Sequence, residues 1–155
     1  MSAKQKTCIG LTLMGIGLLS TCGLGDSALF PVKVGGKYGY MTKSGKIAIT
    51  PQFDDEGVFA EGLAPVKLGR AWGYIDQNGK LAINPQFEAA DPFSDGAALV
   101  GSGYRYGYID KSGKFAINPR FDRAGDFEKG LAPVWVQGRQ GYIDKSGKYV
   151  WNPTA

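Results

Sequence analysis

Histidine is absent from the 155-residue sequence. Its absence removes the commonest general base and metal ligand, and with them any Ser-His-Asp or Cys-His nucleophilic site. Cysteine is almost absent as well. Cys8 and Cys22 both fall within the first 22 residues, so the rest of the chain has no disulfide and no thiolate zinc site. Runs of helix formers are few. What is present is glycine, 24 residues, and aromatic side chains, 12% of the total, a composition suited to tight turns between short strands. The length fits one compact domain or one short repeat array. No metal centre and no cofactor are expected.

The chain repeats one phrase four times. Tyr106 to Pro119 reads YGYIDKSGKFAINP; it returns as WGYIDQNGKLAINP from Trp72, YGYMTKSGKIAITP from Tyr38 and QGYIDKSGKYVWNP from Gln140. Gly39, Gly73, Gly107 and Gly141 are each 34 residues apart, as are Gly45, Gly79, Gly113 and Gly147. A fixed period of this size marks a repeat architecture. Leu29-Phe30-Pro31-Val32-Lys33-Val34 aligns with Leu63-Ala64-Pro65-Val66-Lys67-Leu68 in the same register. The units are therefore 29–62, 63–96, 97–130 and 131–155, the fourth without a linker. Residues shared by every copy are expected to build the unit rather than to carry chemistry.

In the second unit Leu63 to Leu68 is a short strand, with Pro65 expected at a sheet edge or strand end. Trp72 to Asp76 is the next strand and Lys80 to Asn84 a third, after the turn at Asn78-Gly79. Three strands joined by two hairpins make an antiparallel meander, and Pro85 to Gly96 is read as linker. Alternation places Trp72, Tyr74 and Asp76 on one face and Gly73 and Ile75 on the other. It likewise pairs Phe115 with Ile117, opposite Ala116 and Asn118. Gly73, Gly107 and Gly141 leave gaps in the pleat for a close neighbour. One meander cannot bury two such faces, so units must pack together. The Phe53/Phe59, Phe87/Phe93 and Phe121/Phe127 pairs are the expected packing between them, each buried ring contributing about 1.5–3 kcal/mol.

The aromatic-Gly-Tyr-Ile-Asp-x-x-Gly-Lys core, with Asn-Pro-x-Phe and Phe-x-x-Gly-Leu-Ala, resembles the WG, or KWG, repeat family over residues 29–155. The Trp-Gly pair itself occurs only at Trp72-Gly73; Tyr38, Tyr106 and Gln140 hold that place elsewhere. The resemblance implies a bacterial β-repeat protein, often exported or at the cell surface, without an agreed activity.

The first residues read as an export signal. Lys4 and Lys6 form a basic start, and Cys8 to Leu19 is apolar and glycine-rich. Leu19-Ser20-Thr21-Cys22-Gly23 resembles a bacterial lipobox, with Thr21 where a smaller residue is usual. The resemblance implies that Cys22 leads the mature chain and carries the lipid. Residues 1–21 are then the signal and 22–28 a short linker. A cleaved secretory signal, or an uncleaved helix across the stretch from Thr7 to Gly25, are the alternatives. All three place the repeats outside the cytoplasm, facing periplasm or exterior. Without the residues before Cys22 the side-chain charge falls from +4 to +2, so the pI near 9.0 does not argue for nucleic acid.

Chemistry-bearing groups are sparse. Asp76, Asp110 and Asp144 stand before the hairpin turns, where capping the turn competes with a calcium reading. Ten of the fourteen acids lie in the linkers, in varying register. Lys43, Lys46, Lys80, Lys111, Lys114, Lys145 and Lys148 flank the second hairpin turns. Constant stacking would set these tips in a basic row and the linkers in an acidic one, offering Lys111, Lys114, Lys145 and Lys148 to an anionic partner. The aromatic column Tyr38, Trp72 and Tyr106 is either core or a surface for sugar rings and protein partners. Specificity is expected where the copies differ, including Arg70 and Arg105 in the first turns.

The expected fold is all-β: four tandem three-stranded meanders in an open array, with propeller-like closure as the alternative, which a short fourth strand in each linker around Phe87 to Asp91 would favour. The expected function is a non-enzymatic binding or scaffold module of the cell envelope. Its partner would be an envelope protein or a polysaccharide, and lipid on Cys22 would hold it to the membrane. An exported glycan hydrolase using loop carboxylates is the competing reading.

Overall fold

The structure, a computed structural model, describes residues 28–153. Residues 1–27, and with them Cys22 and the expected signal, lie outside that range. The protein is an open array of four small antiparallel sheets. The first holds β1 (Leu29–Val34), β2 (Lys37–Thr42) and β3 (Ile47–Phe53). The second holds β4 (Asp55–Glu56), β5 (Leu63–Leu68), β6 (Ala71–Asp76) and β7 (Leu81–Phe87). The third holds β8 (Ala89–Ala90), β9 (Ala98–Ser102), β10 (Arg105–Ile109) and β11 (Phe115–Phe121). The fourth holds β12 (Arg123–Ala124), β13 (Leu131–Val136), β14 (Arg139–Asp144) and β15 (Tyr149–Trp151). Each sheet is a meander in chain order.

Three expectations about the unit are corrected here. Three sheets have four strands rather than three, because a two-residue strand forms inside each linker and joins the sheet that follows. The linker thus belongs to the next unit. The third strand also runs through its proline to the phenylalanine, ending at Phe87 instead of Asn84. Pro65 is neither at an edge nor at a strand end: it sits inside β5, opposite Tyr74. Its missing N–H still has an effect. Gly57 donates to the Pro65 carbonyl at 2.8 Å, no N–H returns the bond, and β4 stops at Glu56.

The glycine of the refrain has a specific cause. On β6 Trp72 faces Phe87, but Tyr74 faces Ile83, so two extra residues of β7 bulge against Gly73. A Cβ on Gly73 would lie 2.5 Å from the Ile83 carbonyl oxygen and 2.7 Å from the Pro85 nitrogen. Gly107 meets the same obstruction from Ile117 and Pro119. A second bulge separates Phe115 from Ile117, so these two do not share a face as strict alternation predicts. Ile117 enters the core toward the fourth sheet, while the half-exposed Phe115 meets Phe87 of the second sheet edge-on.

Each core lies between consecutive sheets. Tyr74, Ile83, Phe87 and Phe93 pack against Ala98, Val100 and Ile109 of the third sheet. Tyr40 and Phe53 pack in the same way against Ala64, Val66 and Ile75; Tyr108 and Phe121 pack against Ala132, Val134 and Ile143. The linker phenylalanines fill these interfaces as expected. Phe59, Phe93 and Phe127 meet Tyr40, Tyr74 and Tyr108 edge-to-face at 4.9, 5.1 and 4.7 Å, contacts worth about 0.5–1.5 kcal/mol beyond area burial. The three tyrosine hydroxyls donate to the carbonyls of Gly57, Asp91 and Gly125 at 2.8, 2.8 and 2.7 Å. At Gly57 and Gly125 these are the carbonyls for which Pro65 and Pro133 have no N–H to offer. Burial pushes all three phenols well above their ordinary range.

Candidate functional site

The aromatic column is neither core nor free surface. Tyr38, Trp72 and Tyr106 are each half-buried. Trp72 forms one wall of a shallow cleft between the second and third sheets, opposite Ala89 and Ala90, with Glu56, Pro65 and Asp91 around it. Tyr106 forms the same wall of the next cleft, with Ala90, Leu99, Arg123 and Ala124. The two depressions are one site repeated at the 34-residue period. The short strands β8 and β12 supply their floors, so these sites exist because the linkers form strands.

What covers the column differs from copy to copy. Across the strand pair Lys33 faces Tyr38 and Lys67 faces Trp72. Their ammonium groups lie 4.7 and 5.9 Å from the ring centroids, at cation–π range. In the fourth sheet the types are exchanged: Trp135 faces Gln140, and Arg123 lies 5.5 Å over the Trp135 ring. In the third sheet the facing residue is Gly101, and among the described residues no cation covers Tyr106.

The charged candidates divide sharply. Lys111 pairs with Glu61 at 3.4 Å and donates to its carbonyl at 3.0 Å; Lys145 pairs with Asp95 at 2.9 Å. The same carboxylates accept the N–H groups of Gly96 (3.1 Å) and Gly130 (2.7 Å) from the following sheet. Separate basic and acidic rows are therefore not what forms: two hairpin tips bind the linker loops of the preceding sheet. Arg105 is likewise engaged, paired with Asp122, whose other oxygen accepts from Gln137 N–H at 2.6 Å. Lys37 and Asp54 repeat that arrangement with Gly69. Lys114, Lys148 and Arg70 are exposed, and no ion pair joins them to another described residue.

The turn aspartates cap their own turns. One oxygen of Asp110 accepts the Ser112 and Lys114 N–H groups at 2.8 and 3.2 Å and the Ser112 hydroxyl; Asp144 does the same with Ser146 and Lys148. These bonds, led by the serine hydroxyl, hold both carboxyls below their ordinary range. Asp76 accepts from Asn78 and Lys80.

Three acids behave differently: burial, then the charge of Asp55, raises Glu56 above the ordinary carboxylate range. Burial pushes Asp91 above the ordinary carboxylate range; burial, then the charges of Asp91 and Glu128, raise Asp126. Asp91 borders the Trp72 and Tyr106 clefts, whereas Asp126 borders a separate depression by Tyr142. Asp91 and Asp126 share no depression, whereas Glu56 and Asp91 both border the Trp72 cleft.

The sequence reasoning passed over Tyr104. It is 95% exposed and adopts φ +63° in the turn where its counterparts are Gly36, Arg70 and Gly138. Aligning that single position carries the signal: an aromatic where two copies place glycine.

The repeat pattern described as "WG containing repeat" matches residues 38–70, 72–104 and 106–136. The chain belongs to this family. The WG-repeat matches begin at the aromatic-Gly-Tyr strand of each copy and run into the first strand of the next, so they straddle the sheets described above. No curated protein matches the chain. Among the described residues no helix is long and apolar enough to cross a membrane, and no three acidic or cysteine side chains cluster as a metal site would need.

Proposed function

We propose that this WG-repeat chain is a non-catalytic binding module of the bacterial cell envelope, working through the clefts between its stacked sheets. The supporting observation is the repeated, half-buried aromatic wall: Trp72 and Tyr106 stand in equivalent open clefts with small floor residues. A half-exposed ring beside a small-residue floor offers apolar area at little cost in side-chain order, which is how binding anchors work. Glu56 and Asp91 at one cleft, and Asp91 and Arg123 at the other, supply a polar rim. The lipobox-like stretch ending at Cys22 supports an anchored position outside the cytoplasm. The refrain itself is occupied in making sheets and turns, so partner choice falls to the variable positions.

The test is a crosslinking pull-down from intact envelopes with the full chain. Trp72→Ala with Tyr106→Ala should lose the captured partner, while Lys114→Glu with Lys148→Glu should keep it. Retention by the aromatic variant and loss by the lysine variant would move the site to the hairpin tips. Fatty-acid incorporation in wild type but not in Cys22→Ala checks the anchor.

One observation favours a hydrolase instead: Asp91, raised by burial, borders both clefts. A hydrolase would lose glycan cleavage in Asp91→Asn, whereas a binding module releases no product in either form.

A further inference from the structure

Tyr104 occupies a position that the fold does not reward. A non-glycine residue at φ +63° costs roughly 1–3 kcal/mol of backbone strain. Packing normally offsets such strain, but here the residue is 95% exposed. At the same position Gly36 and Gly138 take a positive φ without a side chain, and Arg70 does not take one. Among the described residues its polar tie is the Tyr104 N–H, 3.5 Å from a Glu88 carboxylate oxygen, and any residue but proline supplies that N–H.

The surroundings of Tyr104 are equally particular to the third sheet. Tyr104 and Tyr106 border one shallow depression, floored by Ala89 and Gly101 and edged by Glu88 and the Arg105–Asp122 pair. The first two sheets place Lys33 and Lys67 over their column rings; Gly101 faces Tyr106, and among the described residues no cation covers that ring. A Cβ on Gly101 would lie 3.2 Å from the Ala89 methyl and 3.6 Å from the Tyr106 ring, and a longer side chain would grow into the depression. Three differences between copies therefore fall at one place: Tyr104 where the others have glycine or arginine, Gly101 where they have lysine or tryptophan, and Ala89 where they have Asp55 or Arg123.

We infer that this depression is a saccharide-binding subsite in which a pyranose ring stacks on Tyr104 and Tyr106. The inference rests on the binding-module reading and names the ligand class of one of its sites. A pyranose has an apolar C–H face for the rings and a rim of hydroxyls that both donate and accept. The rim meets Glu88, Arg105 and Asp122, acceptor and donor groups of the matching kind. Arg105 and Asp122 already neutralise each other, so the site suits a neutral ligand better than an ion. Its openness suits an internal unit of a chain, which must enter and leave at both ends.

The full chain is titrated with cellohexaose and with the hexamer of β-1,4-linked N-acetylglucosamine, followed by saturation-transfer NMR and calorimetry. Binding of at least one is expected, weakened about tenfold in Tyr104→Ala and restored in Tyr104→Trp. Tyr104→Gly should melt no lower than wild type while binding equally poorly, which separates lost contact from lost fold. Failure of both oligosaccharides to bind a chain that still captures an envelope protein overturns this inference and leaves the binding module standing. Failure of both measurements overturns both. Binding unchanged by Tyr104→Ala, or a proline-rich peptide taking the site in place of sugar, also overturns it.

Discussion

The ammonium of Lys145 lies 2.9 Å from the carboxylate of Asp95, fifty residues earlier in the chain. Divided as the refrain suggests, these residues belong to the second and fourth units and should not meet. Divided as the sheets form, Asp95 is in the third sheet and Lys145 in the fourth, and they are neighbours. The same relation joins Glu61 to Lys111.

That pairing sets a pH dependence. Asp95 is held below the ordinary carboxylate range, first by Lys145 and then by the Gly130 N–H. A depressed folded pKa means the contribution is present above the unfolded pKa and is lost as pH falls through the folded one. Lys145→Ala should therefore lower the melting midpoint near neutral pH, and its difference from wild type should shrink in acid. Both side chains face solvent, so added salt should narrow the difference too. An acid-independent gap would show that the pair is not its source.

Gly73 and Gly69 look alike in sequence and differ in space. Gly73→Ala drives a methyl into the β7 bulge and should cost about 3 kcal/mol in urea denaturation, or abolish cooperative unfolding. Gly69→Ala meets nothing within 4 Å, and its φ of +65° limits the penalty to roughly 1 kcal/mol. Equal costs would contradict the bulge.

The second tyrosine of the refrain should be graded by what covers it. Tyr74→Phe leaves the Asp91 carbonyl without its 2.8 Å bond and should cost about 1–2 kcal/mol. Tyr142→Phe alters an exposed ring whose hydroxyl, among the described residues, accepts from Gln140 at 3.4 Å, and should stay within about 0.5 kcal/mol of wild type. Chemical denaturation of the two variants decides it.

Much of this architecture was legible from spacing. The 34-residue period, the turns at Gly79, Gly113 and Gly147, and the buried Phe87 and Phe121 all follow from repetition and turn chemistry. The short strands were legible only as part of the alternative fold, around Phe87 to Asp91, and without bounds. Asp55–Glu56, Ala89–Ala90 and Arg123–Ala124 share no β-forming pattern, and pairing with the following strand, a long-range term, makes them strands. The faces of Phe115 and Ile117 were misassigned because a bulge breaks the period of two. At the clefts, the Trp72 and Tyr106 column was visible, but its half-exposure depends on how far apart adjacent sheets stand. Tyr104 was visible as a letter; its strain lives in a dihedral angle.

The central claim is that the column lines open clefts between stacked sheets. Trp72 reports on it directly in a chain carrying Trp135→Phe and Trp151→Phe, where Trp72 is the only indole. Acrylamide should quench its emission to a degree between a buried indole and the denatured chain, and envelope extract should reduce that quenching saturably. Quenching as low as for a sealed core residue, unchanged by the extract, would contradict the account.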